Sequence, residues 1–247
     1  RKLGVTLGQA QREAVAKAVS GDLTVITGGP GTGKTTSINC ILEMLEGGGT
    51  VELCAPTGRA AKRMSEATGR SARTIHRLLE YGGEVEGFKR DEENPIKADT
   101  VVVDEMSMVD IFLMRALLRA VKPGARLILV GDADQLPSVG AGNVLRDLID
   151  SGAVPVARLN EIFRQAQQSR IVVNAHRINR GEYPLIQNRD TDFFLERRES
   201  AAEVSQSVVA LVQRRLPGFL GVDSLRGVQV MAPMKKGALG VFQLNRV

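Results

Sequence analysis

Apolar residues along the chain fall into two alternating patterns. Short, almost unbroken Val/Ile/Leu runs occur at 23–28 (LTVITG), 50–56 (TVELCAP), 99–106 (DTVVVDEM) and 125–132 (ARLILVGD). Between them lie stretches in which apolar residues recur every three or four positions. Residues 34–46 (KTTSINCILEMLE) place Ile38, Ile41, Leu42 and Leu45 on one helical face, and 58–68 and 109–121 read the same way, the last stopped by Pro123–Gly124. Strand runs without polar alternation belong to sheets covered on both faces, and strand–helix alternation predicts a parallel α/β sheet. One such domain is expected over roughly residues 1–160.

Two regions break the rhythm. Residues 80–98 (EYGGEVEGFKRDEENPIKA) are polar, acidic and rich in turn formers, which predicts an inserted surface loop or hairpin. Beyond Pro155–Val156 the pattern restarts. A helix is expected within QSRIVVNAHRINRGEYP, a strand at TDFFLER (191–197), a helix after Ser200 as N-cap, and a strand and turn in GVQVMAPMKKG (227–237). Residues 161–247 thus read as the start of a second α/β domain with too few strands to complete a sheet.

Composition narrows the class without naming it. The 247 residues are 43% hydrophobic and 25% charged, as in ordinary globular proteins, and no apolar run is long enough to span a membrane. The first fifteen residues lack the apolar core of a signal peptide, and the two cysteines, Cys40 and Cys54, form no CxxC pair. A cytoplasmic protein is expected. The net charge of +5 is concentrated, because residues 53–77 carry six cations (Arg59, Lys62, Arg63, Arg70, Arg73, Arg77) against one acid, Glu66. Such a segment is either a solvated basic face or a track for an anionic polymer.

The chemistry lies at the ends of the strand runs. GGPGTGKT (28–35) fits G-x-x-x-x-G-K-[ST] between a strand and a helix. In that setting Gly28, Gly29, Pro30, Gly31, Thr32 and Gly33 would wrap phosphate oxygens with backbone N–H groups, and Thr36 would follow in the first helical turn. Lys34 would reach the β- and γ-phosphates, and the Thr35 hydroxyl would coordinate Mg²⁺. Asp104 and Glu105 close the strand at 101–106, where ligands bind in open parallel sheets. Asp104 would hold Mg²⁺ through water, and Glu105 would activate a water against the γ-phosphate. Gln135, in GDADQLP, follows a further strand on the same edge, and its amide offers both donor and acceptor for sensing a phosphate or its attacking water.

The motifs GGPGTGKTT, LCAPTGRAA, TIHRLL, VVVDEMSMVD, LVGDADQLPSVGAGNVL and LNEIFRQ together resemble, in order and over nearly the whole chain, those of superfamily 1 helicases of the RecD-like branch. The resemblance implies a P-loop NTPase with a RecA-like sheet and a partial second RecA-like domain. It implies ATP and Mg²⁺ as cofactors, single-stranded DNA and single-/double-strand junctions as partners, 5′ to 3′ polarity, and a recombination or repair setting. It implies that Gln11 reads adenine, that Arg164 reaches the γ-phosphate as an arginine finger, and that Gln135 relays between the two ligands. Pro56, Thr57, Arg59, Thr74 and His76 would line the DNA track, with Lys235 or Lys236 on the backbone and Tyr81, Phe88 and Pro233 as further contacts. The insertion at 80–98 would be a wedge. From the residues alone, Gln11 is an exposed helix polar and His76 a packing or capping residue.

The family's last two motifs are absent from the sequence, so an incomplete motor is expected. A conjugative relaxase helicase domain and an ATP- and DNA-binding fragment without turnover are the alternatives. A signalling NTPase fits the basic track poorly.

Overall fold

The computed structural model describes residues 6–161, 168–186 and 191–247. The chain divides into two compact units, Arg1–Leu185 and Ile186–Val247.

The first unit opens with α1 (Gln9–Ser20), β1 (Leu23–Gly28), α2 (Lys34–Met44), β2 (Val51–Ala55), α3 (Gly58–Thr68), β3 (Ala72–Thr74) and α4 (Ile75–Leu78). It continues through β4 (Thr100–Val103), a 3-10 turn (Met106–Met108), α5 (Ile111–Ala120), β5 (Arg126–Gly131), α6 (Val144–Asp150), β6 (Val156–Leu159) and α7 (Arg170–Asn179). The six strands form one sheet in the order β3-β2-β4-β5-β1-β6, every pairing parallel. This is the RecA-like arrangement that the motifs imply.

Alternation along the strands builds two cores. Val25, Val101, Val103, Leu127 and Leu129 face α4, α5 and α6. Ile26, Leu53, Val102, Ile128 and Val130 face α1, α2 and Met64 of α3. Both faces are buried, which is why the strands read as unbroken apolar runs. Helix ends follow local chemistry. Thr57 Oγ1 accepts from Ala60 N at 3.2 Å to start α3, and Gly69 stops it in the left-handed region at φ 67°. Asp110 Oδ1 accepts from Leu113 N at 2.8 Å to start α5.

Two strands lie outside the expected set. β3 lies within the basic segment, and β6 forms at the opposite edge beside β1. The insertion at 80–98 folds as a tight turn closed by an antiparallel Tyr81–Phe88 bridge. It returns to the body through Ile96, whose N–H donates to Ala120 O at 2.8 Å, and through the Arg119–Glu92 ion pair.

The second unit contains α8 (Ala201–Ala210), a π-helical turn (Leu211–Arg215), α9 (Leu216–Leu220), α10 (Ser224–Gly227) and α11 (Val241–Leu244). Ser200 caps α8, as expected, its Oγ accepting from Glu203 N at 3.2 Å. The strands expected at 191–197 and within 227–237 are not formed. A strand needs a neighbour to take its ladder bonds, and among the described residues this unit contains no strand to pair with. Glu196 instead binds the side chains of Arg198 and Arg215.

Candidate nucleotide site at the carboxyl edge of the sheet

β1 delivers the glycine-rich loop. A Cβ at Gly28 would lie 2.6 Å from Thr32 Oγ1 and 2.7 Å from Leu159 O, so only glycine allows β6 and the loop to close around this strand end. Gly31 and Gly33 take left-handed backbones at φ 75° and 79°. Thr32 Oγ1 donates to Gly29 O at 2.8 Å, and Lys34 Nζ donates to Gly28 O at 2.6 Å and to Gly29 O at 3.0 Å. Thr35 and Thr36 stand in the first turn of α2, the former exposed, and Pro30 is exposed at the tip of the loop. The lysine therefore lies over the loop that would receive phosphate, and the loop has the glycines that close backbone approach requires.

Gln11 departs from its reading as an exposed helix polar, since it is only 3% exposed. Its Oε1 accepts from Gly8 N at 3.0 Å, and its Nε2 donates to Gly33 O at 3.2 Å. The amide ties the start of α1 to the turn before Lys34. Burial follows because its side of α1 faces the loop rather than solvent.

β4 stops at Val103, one residue before the acids. Asp104 N donates to Cys54 O at 3.0 Å, and Asp104 Oδ1 accepts from Glu105 N at 2.8 Å. Glu105 is left-handed at φ 56°, ψ 42°, an uncommon state for a side-chain-bearing residue, and it turns the chain into the 3-10 segment. Burial raises the Asp104 carboxyl above its ordinary range, against the bond from Glu105 N–H and the Lys34 charge. Burial also raises Glu105, helped by Asp104 and opposed by Lys34 and Arg63. Two carboxylates and a lysine thus share one partly desolvated edge.

β5 completes that edge. A Cβ at Gly131 would meet Leu145 Cδ2 at 2.8 Å and Met106 N at 3.1 Å, so the strand end lies against the turn that holds Glu105. Beyond it Asp132, buried at 3% exposure, accepts from Asp134 N at 3.0 Å. Gln135 is exposed, donates from Nε2 to Asp132 Oδ2 at 3.4 Å, and accepts on Oε1 from buried Ser107 at 3.4 Å. Thr27 Oγ1, on β1, accepts from Ala133 N at 3.2 Å and ties this turn to the strand that feeds the phosphate loop.

Pro56, Thr57, Arg59, Thr74 and His76 lie by the other half of the sheet. Ala55 pairs with Thr74, so Pro56, Thr57 and Thr74 leave β2 and β3 at the same edge. Both threonines are N-caps, Thr74 Oγ1 accepting from Arg77 N at 3.2 Å. Arg59 is exposed in the first turn of α3. His76 is exposed, with its ring edge-on to Tyr81 at 5.5 Å between centroids and tilted on Phe88 at 5.7 Å. Lys235, Lys236 and Pro233 are exposed in the second unit. Arg164 lies outside the described residues.

Sequence reasoning missed four residues of this edge, namely Thr27, Ser107, Asp132 and His176. The Nε2 of His176, on α7, lies 3.3 Å from Pro30 O. Thr27, Ser107 and His176 act through partners distant in sequence, whereas Asp132 bonds Asp134 and Gln135 within its own turn.

A parallel sheet with a phosphate loop, an acidic pair and a polar turn on its carboxyl edge defines a P-loop NTPase of RecA-like architecture. The AAA domain family model matches residues 11–141. The chain is 42% identical over 240 residues to the ATP-dependent RecD2 DNA helicase of Deinococcus radiodurans, covering 97% of this chain and 32% of that protein. It is 44% identical over 180 residues to the RecBCD enzyme subunit RecD of Mycobacterium tuberculosis, covering 62% and 31% respectively. Among solved structures, the Pif1 helicase of Candida albicans superposes with a TM-score of 0.56 at 26% identity over 73% of this chain and 45% of that one. The chain belongs to the AAA domain family and is similar to helicases of the RecD and Pif1 type. It spans about a third of the length of the curated relatives it matches. Among the described residues, no helix is long and apolar enough to cross a membrane.

Proposed function

We propose that this chain is the nucleotide-binding half of an ATP-dependent DNA helicase, together with the segment that begins its second motor domain (residues 161–247). The observation that carries the reading is the convergence of Lys34, Asp104, Glu105 and Gln135 at the ends of β1, β4 and β5, three adjacent strands of one sheet. A protein that only holds a nucleotide has no need for Glu105 in a strained turn or for Gln135 hydrogen-bonded to that turn through Ser107.

In this reading Gly28–Thr35 bind the triphosphate, and Lys34 turns from the Gly28 and Gly29 carbonyls to the phosphates. Mg²⁺, held by Thr35 and Asp104, would neutralise developing charge on the phosphates. Glu105 takes the proton of the attacking water, and burial, which raises its pKa, makes it a stronger base than an exposed carboxylate. Gln11 positions the loop through Gly33, and by the family resemblance it would read the adenine. Arg164 completes the phosphate contacts. Single-stranded DNA runs over Pro56, Thr57, Arg59, Thr74 and His76 of the first unit, with the acidic insertion at a single-/double-strand junction. In the second unit, Lys235 or Lys236 would meet DNA backbone. Polarity of 5′ to 3′ follows the family, as does the ATP-dependent DNA unwinding named for the Deinococcus relative.

The test is equilibrium binding of a fluorescent single-stranded oligonucleotide with and without Mg²⁺ and a non-hydrolysable ATP analogue, at two salt concentrations. The expected result is salt-sensitive binding whose affinity changes with nucleotide. Binding of neither ligand under any condition would sink the reading.

A further inference from the structure

His176 belongs to none of the motifs above, yet it touches the phosphate loop. Its helix, α7, is anchored in several ways. Ser169 Oγ caps it by accepting from Val172 N at 3.3 Å. Asn174 is fully buried, and its amide makes both bonds to one residue, Nδ2 donating to Leu185 O at 2.9 Å and Oδ1 accepting from Leu185 N at 2.7 Å. Arg177 Nε donates to Tyr183 O at 2.9 Å, and its guanidinium pairs with Glu182 at 3.0 Å. Residues 170–185 are therefore a cross-tied arm whose one imidazole reaches the loop.

The contact involves two consecutive loop residues. His176 Nε2 lies 3.3 Å from Pro30 O. A Cβ at Gly29 would have three His176 ring atoms as its nearest neighbours, Cε1 at 2.6 Å, Nε2 at 3.4 Å and Nδ1 at 3.5 Å. The ring fills the space that a side chain at position 29 would take. A carbonyl can only accept, so Nε2 carries the proton in this bond. The Gly29 carbonyl is also bonded by Thr32 and Lys34. When Lys34 turns to a phosphate, it releases that carbonyl, and the hold of His176 on Pro30 remains.

We propose that His176 is a positioning residue for the nucleotide site. It fixes the Gly29–Pro30 turn in place of a side chain at 29 and so prepays part of the ordering that phosphate binding requires. The inference rests on the reading of residues 28–35 as the nucleotide site.

The experiment is a double-mutant cycle of Gly29→Ala and His176→Ala, with His176→Gln beside it. Binding of a fluorescent ATP analogue with Mg²⁺ is measured, together with kcat and KM for ATP turnover and the melting temperature without nucleotide. His176→Ala loses the hold, and Gly29→Ala pushes the ring away. Each is expected to weaken binding about three- to tenfold, the size of one hydrogen bond of this kind. The double variant is expected to be no weaker than either single one, because the new methyl group then fills the vacated space. His176→Gln restores part of the affinity, and KM moves while kcat at saturating ATP changes less than about twofold. Two losses that simply add, or unchanged affinity in His176→Ala, would overturn the proposal. Lys34→Ala separates the two readings. If it abolishes binding and the cycle is additive, only the role of His176 fails. If wild type and Lys34→Ala bind alike, or neither binds, the nucleotide site fails and the inference falls with it. Should His176→Ala not fold, Gly29→Ala and His176→Gln still decide the matter.

Discussion

Ser107 Oγ donates to Gln135 Oε1 at 3.4 Å, joining the turn that follows Glu105 to the turn beyond β5. Gln135 has a second long bond, to Asp132, so two weak contacts hold an otherwise exposed amide. Such an amide changes partners easily, as a sensor of phosphate must. Ser107→Ala removes the link to the Glu105 turn and leaves the phosphate loop intact. The expected outcome is ATP-analogue affinity within about twofold of wild type, with stimulation of ATP turnover by single-stranded DNA reduced about three- to tenfold. Turnover assays with and without oligonucleotide decide it. Undiminished stimulation would show that the relay does not run through Ser107.

The acidic pair gives a pH-dependent expectation. Burial raises both Asp104 and Glu105, so the folded chain keeps these protons to higher pH than the unfolded chain does. Their contribution to stability is fully present below the unfolded pKa and is lost as pH rises through the folded one. Near neutral pH the ionised carboxylates therefore weigh against folding. Glu105→Gln keeps the shape and removes one charge. Calorimetry is expected to give a higher melting temperature than wild type at about pH 7, with the gap closing towards about pH 4, while turnover falls about 10²- to 10⁴-fold. A gap that widens on acidification would mean that the charge is not buried.

Gly28 is a steric requirement. Any Cβ there lies 2.7 Å from the Leu159 carbonyl, a backbone atom of β6 that cannot swing away as a side chain can. Gly28→Ala must push β6 from β1 or distort the loop. The expected cost is about 1–3 kcal/mol in denaturant unfolding, with nucleotide affinity lowered as well. Full stability in this variant would mean that β6 is not seated as described.

Much of the fold is legible in the sequence where local chemistry and packing agree. β1 and α3 begin and end where the motifs place them, because Thr57 and Gly69 are a cap and a stop that need no tertiary help. β3 and β6 are hidden because each is short and carries an arginine, Arg73 or Arg158, within the run. Residues 191–197 and 227–237 show the reverse, since they carry strand-like residues but no ladder partner is formed among the described residues of their unit. The burial of Gln11 and the loop contact of His176 are not legible in the residue pattern, for one reason. Their partners, Gly33 and Pro30, lie far along the chain, and only the folded sheet brings them together. The acids and the phosphate loop were readable because their chemistry needs particular residues at particular strand ends.

The DNA track requires a test that separates contact from capping. Thr57 and Thr74 already use their hydroxyls as N-caps, so Thr→Ala at either position lowers stability by about 1 kcal/mol whether or not DNA binds there. A weaker affinity in those variants would not by itself locate the track. Thr57→Ser and Thr74→Ser keep the cap and remove only a methyl group, so they report on contact with stability held constant. Arg59 is exposed beside them and supplies charge. Arg59→Ala is expected to make the plot of log affinity against log salt shallower by about one, the signature of one lost phosphate contact. The Thr→Ala variants are expected to melt lower with the slope unchanged. An unchanged slope in Arg59→Ala would place the strand elsewhere on the basic face, and the same titration on Arg63→Ala and Arg70→Ala would then show where it runs.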